Sequence, residues 1–348
     1  MLNSLGSSDG WAISDDRLKD ADNAAWLVFL TPEEQKPWRE RIHWIRVVDR
    51  LAEQDWLQGN QGRLEQFRRH WQHLWDTGEI LIDSPCQHEL WQMSRAWGLY
   101  KKSRQSEAVQ FKSAPSTLGS LTSTQDQIQT ECDRLAILAW QRYLDAITDY
   151  HQDDLHLATI ADYNQMLDRL GGSLFQVFPD LNAKLAIGAR ALGSLDQCYN
   201  HLRDLHEDTQ HGLCYFPQDL LDAFGLSAED FYTLKILKRP GYRKFMQFWI
   251  QDYLPPRVVI AQQFARRLDL PPQWRLLCEW SLDRYRRIED CLQRCHYNYQ
   301  DFADRYWAET RQHLKYYPDR LVFATYRPRT RIGGHGASHR GDGNPWET

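Results

Sequence analysis

Residues 189–231 read ARALGSLDQCYNHLRDLHEDTQHGLCYFPQDLLDAFGLSAEDF. LDQCYNHLRDLHEDTQ, residues 195–210, repeats its apolar positions every three to four residues, which is helical spacing. On such a helix Asn200, Asp204 and Asp208 stand four apart and share one face, drifting by about 40° per step. Gln197 lies one turn earlier on nearly the same face. Two carboxylates one turn apart, with an amide behind them, suit a hard cation such as Mg²⁺, which takes oxygen ligands and fills its shell with water or phosphate. The competing reading is a solvated acidic helix face, since i,i+4 acids are common on surfaces.

The same period runs outward in both directions. WRERIHWIRVVDRLAEQDWL, residues 38–57, sets Ile42, Ile45, Val48 and Ala52 on one side. Residues 131–152, 274–295 and 302–317 repeat the pattern, and alternating strand text is nearly absent. Thr31 and Ser227 each precede acids in a first turn and read as N-caps. The fold class is therefore all-α, in one helical domain over residues 24–325. Residues 1–23 read as a flexible lead, 102–127 as a polar loop insertion rich in Ser, Thr, Gly and Pro, and 326–348 as a disordered tail.

Composition narrows the function. The chain has 348 residues, of which 42% are hydrophobic, enough for a sizeable core. Fifteen Trp and 13% aromatics either fill that core or line a greasy cavity whose π-faces can stabilise a carbocation. A net charge of −5 gives no footprint for nucleic acid. The seven Cys form no C-x-x-C pair, and Cys198, Cys214, Cys278, Cys291 and Cys295 read as buried thiols of a reducing compartment. No signal peptide and no apolar run of membrane-spanning length are legible, so a cytoplasmic protein, possibly peripheral to a membrane, is expected. His156, His206 and His211 stand isolated and read as surface or helix-end residues.

Residues 189–231 also resemble the second aspartate-rich signature of the squalene/phytoene synthases: Ala-x-x-Leu-Gly, then Gln-x-x-Asn-x-Leu-Arg-Asp-x-x-Glu-Asp, then Gly-Arg-x-Tyr-x-Pro and Phe-Gly. Ala189, Leu192, Gly193, Gln197, Asn200, Leu202, Arg203, Asp204, Glu207, Asp208, Gly212, Tyr215, Pro217, Phe224 and Gly225 fall in register. Leu213 stands where the signature has Arg. Residues 46–53, RVVDRLAE, resemble the first signature, Arg-x-x-Asp-Asp-x-x-Asp, with Arg50 in place of the second acid and Glu53 in place of the last. Ala25-Trp26 occupies the place of the family's Ser-Phe. For the intervening Tyr-Cys-x-x-Val-Ala-Gly-x-Val-Gly two registers are open. One puts Met166 at the Tyr position and Phe175 at the last Gly; the other puts Tyr163 at the Tyr. Residues 285–305 resemble the family's closing helix, which extends the likeness over residues 25–310.

The resemblance implies an isoprenoid-synthase-type helical bundle around a central cavity. It implies Mg²⁺-dependent, head-to-head condensation of two farnesyl or geranylgeranyl diphosphates in isoprenoid or carotenoid biosynthesis. Carried over by position, the catalytic set is Asp49, Glu53, Asp204, Asp208 and Tyr163. Asp49, Glu53, Asn200, Asp204 and Asp208 would hold Mg²⁺, and Arg46, Gln197, Asn200, Arg203 and Tyr215 would bind substrate. The departures at Ala25, Arg50 and Leu213 leave two alternatives: a catalytically degenerate paralogue acting as a lipid-binding or scaffold protein, and a different prenyl-transfer or diphosphate-hydrolysing enzyme. Oligomeric state is not legible.

Overall fold

The structure is a computed structural model and describes residues 15–58, 62–81, 83–84, 86–99, 124–151 and 155–323. Among these residues every regular element is helical. In chain order they are α1 (Asp15–Ala24), a 3₁₀ turn (Ala25–Phe29), α2 (Pro32–Gln58), α3 (Arg63–Thr77), α4 (Gln87–Ala96) and α5 (Thr124–Tyr150). Next come α6 (Ile160–Leu167), a π-helical segment (Asp168–Gly172), α7 (Ser173–Gln176), α8 (Ala183–Gln210), α9 (Gln218–Ala223) and α10 (Ala228–Tyr232). A second 3₁₀ turn (Lys235–Lys238) leads to α11 (Tyr242–Gln247), a second π-helical segment (Phe248–Tyr253), α12 (Leu254–Ala265), α13 (Pro272–Arg294) and α14 (Tyr299–Phe323).

The decisive helix is α8, and it forms the axis. Asn182 caps it, its side chain accepting from the Leu185 N–H at 3.0 Å. Leu192, Leu195, Cys198, Tyr199, Leu202 and Leu205 are buried, so α8 is covered by α6, α7, α10, α12, α13 and α14 on most sides. A helix that is apolar over most of its circumference belongs inside a bundle. The polar stripe of Gln197, Asn200, Asp204 and Asp208 is what remains to face a cavity. The helix ends where Gly212 takes φ +73° and the Leu213 N–H reaches back to the Asp208 carbonyl at 2.9 Å. This glycine-terminated cap sets Leu213 beside the last turn of the acidic stripe.

Gly193 fixes how deeply the first π-helical segment seats on α8. A Cβ on Gly193 would come within 2.1 Å of the Gly171 carbonyl oxygen, and one on Gly171 within 2.2 Å of that of Gly193. Backbone meets backbone there, and no larger residue fits without moving a helix. On the other side of the cavity, Thr31 caps α2 by accepting from the Glu34 N–H at 3.4 Å, while Glu34 accepts from the Thr31 N–H at 2.9 Å. Ile45, Val48 and Ala52 are buried as their spacing predicts. Ser227 likewise caps α10. An aromatic group of Trp26, Trp38, Phe178 and Trp274 packs edge to face or tilted, with centroids 4.9–6.1 Å apart, and its Trp26 and Phe178 line the cavity.

Three sequence boundaries change. The lead expected to be flexible over 1–23 is helix from Asp15, because Leu18 and Asp22 are buried one turn apart. Asp22 is fully buried and held by Arg287 (2.9 Å) and Tyr306 (3.2 Å), and its backbone carbonyl accepts from the Trp280 indole (2.8 Å). The insertion expected over 102–127 ends in α5 from Thr124, and its residues 102–123 lie outside the described residues, as does the tail 326–348. The closing helix expected over 285–305 is two helices, α13 and α14. They are joined through His296 and Tyr297, whose φ values of +52° and +65° turn the chain. Cys198, Cys278, Cys291 and Cys295 are buried free thiols and Cys214 is half-buried. Among the described residues no helix is long and apolar enough to cross a membrane.

Candidate active site

A cavity of about 510 Å³ lies between α2, α5 and α8. α2 contributes Ile42, Ile45, Arg46, Asp49 and Glu53; α8 contributes Gln197, Asn200, His201, Arg203, Asp204, Glu207 and Asp208. Along α2 the apolar Ile42 and Ile45 precede Asp49 by one to two turns. With Trp26, Leu170, Phe175 and Phe178 they make an oily wall that continues from the acidic one. The two acidic faces read from the sequence thus meet around one chamber. Of the expected site residues, Asp49, Glu53, Asp204, Asp208, Arg46, Gln197, Asn200, Arg203 and Tyr215 all line it.

Tyr163 does not line it. It is wholly buried behind the α8 wall, its hydroxyl 3.4 Å from the Cys198 sulfur and 3.2 Å from His201 Nδ1. Burial, with Cys198 and Tyr253 adding to it, pushes its pKa well above that of a free tyrosine. Met166, the other candidate for the family's Tyr position, is equally buried and equally absent from the lining. Tyr143 of α5 does reach the chamber, as do Tyr150 and Tyr215, and it donates to Asp49 Oδ1 at 2.5 Å. Burial and the Asp49 charge hold its hydroxyl protonated and therefore a donor.

On the α2 wall Asp49 also accepts from Arg46 at 3.2 Å. Arg46 in turn pairs with Asp20 of α1 at 2.7 Å. Arg50, which reverses a charge relative to the family signature, does not enter the chamber. It is half exposed and pairs with Asp20 at 2.9 Å, so the reversed charge ties down α1.

On the α8 wall Arg203 grips Asp204 with two parallel bonds of 2.8 and 2.6 Å. That fork is spent on a carboxylate, while its Nη1 is buried without a hydrogen-bond partner. Lys19 of α1 reaches Asp204 at 3.5 Å and Glu207 at 2.5 Å. Burial raises the Asp204 pKa, but Arg203 and Lys19 outweigh it and hold the group ionised. Asp208, one turn on, goes the other way. Burial and the neighbouring Asp204 charge push its carboxyl well above the ordinary range, and among the described residues no side chain donates to it. Asn200 donates to Asp196 at 3.3 Å, while its carbonyl oxygen is buried with no partner. Asp196 is itself held by Arg284 and Tyr285.

These observations test the fit of a divalent cation. Among the described residues no three His, Cys, Asp or Glu side chains close on one point, so there is no all-protein cage. Mg²⁺ needs only one or two carboxylates when substrate phosphates complete its shell. The undonated Asp208 carboxyl and the orphaned Asn200 oxygen, one on each side of Asp204 along the stripe, offer such a set. A nearby cation would relieve both the repulsion on Asp208 and the unmet acceptor.

His201 was not singled out by the sequence, yet it forms part of the wall. Its Nε2 lies 3.0 Å from the Gln197 amide nitrogen, and its ring stacks on Tyr215 at 4.3 Å and 10°. Burial pushes its pKa down to about 3, so it stands neutral. Its signal was its place between Asn200 and Leu202, the unspecified position of the signature. Lys19 carried no signal, because it sits in acidic text ahead of the first recognised motif. His211, at the C-cap of α8, lies at the rim of the chamber, and His156 is exposed, as expected of surface and helix-end residues.

Comparison with known proteins agrees with the back half of this architecture. Residues 174–311 match the family model for squalene/phytoene synthase. That span holds α8 and not α2, so it is shorter than the likeness read over 25–310. A 15-cis-phytoene synthase of Synechococcus elongatus is 34% identical over 140 residues, which is 39% of this chain and 42% of that protein. A chloroplastic phytoene synthase 2 of Oryza sativa subsp. japonica is 37% identical over 112 residues, 32% of this chain and 26% of that protein. The chain therefore spans less than half the length of these relatives. The crystal structure of a dehydrosqualene synthase with ligand superposes with a TM-score of 0.49 at 15% identity, covering 86% of this chain and 98% of that one.

Proposed function

We propose that the chain is a divergent member of the squalene/phytoene synthase family, which its residues 174–311 resemble, and that it is a prenyltransferase joining two prenyl diphosphates head to head with Mg²⁺ as cofactor. The observation that carries the proposal is the meeting of two acidic helices, α2 and α8, around one chamber that also has an apolar and aromatic wall of Trp26, Leu170, Phe175 and Phe178. When bound, Mg²⁺ would neutralise the departing diphosphate. Asp208 and Asn200 would hold it on α8, with Asp204 beside them, and Asp49 and Glu53 would face it from α2. Arg46, Gln197 and Tyr215 line the same space and would orient the diphosphate oxygens. Trp26, Phe175 and Phe178 would present π-faces to an allylic cation and keep water from it. Farnesyl and geranylgeranyl diphosphates are the substrates proposed. The scaffold alternative gains no support from the comparisons.

Incubation of the full chain with Mg²⁺ and farnesyl or geranylgeranyl diphosphate tests this reading. Pyrophosphate release is expected, together with a loss of at least about 10²-fold in Asp204→Asn, the size of effect seen when one preorganised charge-stabilising group is removed. No release from any prenyl diphosphate between geranyl and geranylgeranyl would overturn it.

A further inference from the structure

Lys19 comes from α1, outside the region that matches the family model. Its ammonium enters the chamber between Asp204 and Glu207 and is largely buried, 13% of the side chain remaining exposed. The helix that carries it is anchored. Asp22 is fixed by Arg287, Tyr306 and Trp280, and Asn23 accepts from Arg284. The adjacent Asp20 ties the same helix to Arg46 and Arg50 on the α2 wall. Lys19 is thus a positioned charge rather than a wandering surface lysine. An ammonium has one more N–H donor than these two carboxylates take. The chamber also lacks a cation at Leu213, where the family signature has Arg, and Lys19 and Leu213 line the same space.

We propose that Lys19 is the resident cation of the α8 wall: it takes the place of one divalent ion between Asp204 and Glu207 and offers its remaining donor to a diphosphate oxygen. The proposal rests on the reading of the chamber as a diphosphate site. It follows that the divalent cation bound on α8 sits toward Asp208, one turn beyond the Lys19–Asp204 pair.

Titration of the full chain with Mn²⁺, counted by electron paramagnetic resonance without substrate, tests the first part. Lys19→Met keeps the aliphatic stem and removes the charge. It is expected to bind one more Mn²⁺ per chain, or to bind Mn²⁺ at least about tenfold more tightly, since a unit charge a few ångströms from the ion is gone. Lys19→Arg should match the wild type, and Lys19→Gln serves if the Met variant folds poorly. Identical Mn²⁺ binding in the wild type and the neutral variants overturns the proposal. Titration with inorganic pyrophosphate in the presence of Mn²⁺ tests the second part. An affinity loss of about tenfold or more in Lys19→Met is expected, and no loss overturns the phosphate contact. A wild type that turns over no prenyl diphosphate yet shows the Mn²⁺ difference would sink the proposed function while supporting Lys19 as resident cation.

Discussion

The α2 and α8 walls of the chamber carry similar acids and differ in what surrounds them. On α2, Asp49 is engaged from two sides by protein, through Tyr143 and Arg46, and Arg46 is engaged again by Asp20. On α8, Asp204 is engaged by Arg203 and Lys19, while among the described residues no side chain donates to Asp208 and the Asn200 oxygen is buried without a partner. The α2 wall is a closed network and the α8 wall is an open one. An i,i+4 pair of aspartates on one helix is driven apart in its titration: Arg203 and Lys19 overcome burial and hold Asp204 down, while burial and the Asp204 charge push Asp208 up. Acidity counted along a sequence does not distinguish these cases; only the latter leaves coordination capacity for a ligand.

That contrast can be broken most directly by comparing Asp208→Asn with Glu53→Gln in the pyrophosphate-release assay. The open wall predicts a loss of about 10³-fold for Asp208→Asn and only about tenfold for Glu53→Gln. The reverse order would show α2 to be the principal cation wall. The seating of the open wall is tested by Gly193→Ala, which drives a methyl into the Gly171 backbone. A loss of about 2–3 kcal/mol in denaturant unfolding is expected, and a loss below about 0.5 kcal/mol would mean that the helices slide apart easily there.

The smallest effect sharpens the picture of how dry the α8 wall is. His201 titrates near 3 in the fold, chiefly because it is buried, against 6.5 for a free ring. Between those values the unfolded chain binds more protons, so stability is lost as pH falls through that window, by up to ~1.4 kcal/mol per pH unit from this group. Urea titrations at several pH values should show a shallower acid dependence for His201→Gln than for the wild type. Equal slopes would place water against the ring.

The sequence by itself determined the helical class, the caps at Thr31 and Ser227, and the stripe of Gln197, Asn200, Asp204 and Asp208. Each of these follows from spacing within one helix, where 3.6 residues per turn fixes which side chains share a face. It also placed Asp49 and Glu53 on a common side of α2. Only the tertiary structure decided what each face meets. It put Lys19 against Glu207 across 188 residues of chain, gave Asp49 the hydroxyl of Tyr143, set Tyr163 behind His201, and turned Arg50 away to Asp20. Periodicity carries no term for a partner on another helix. The charge that an aspartate feels, and hence whether it has room for a metal ion, is set by those distant partners and by burial.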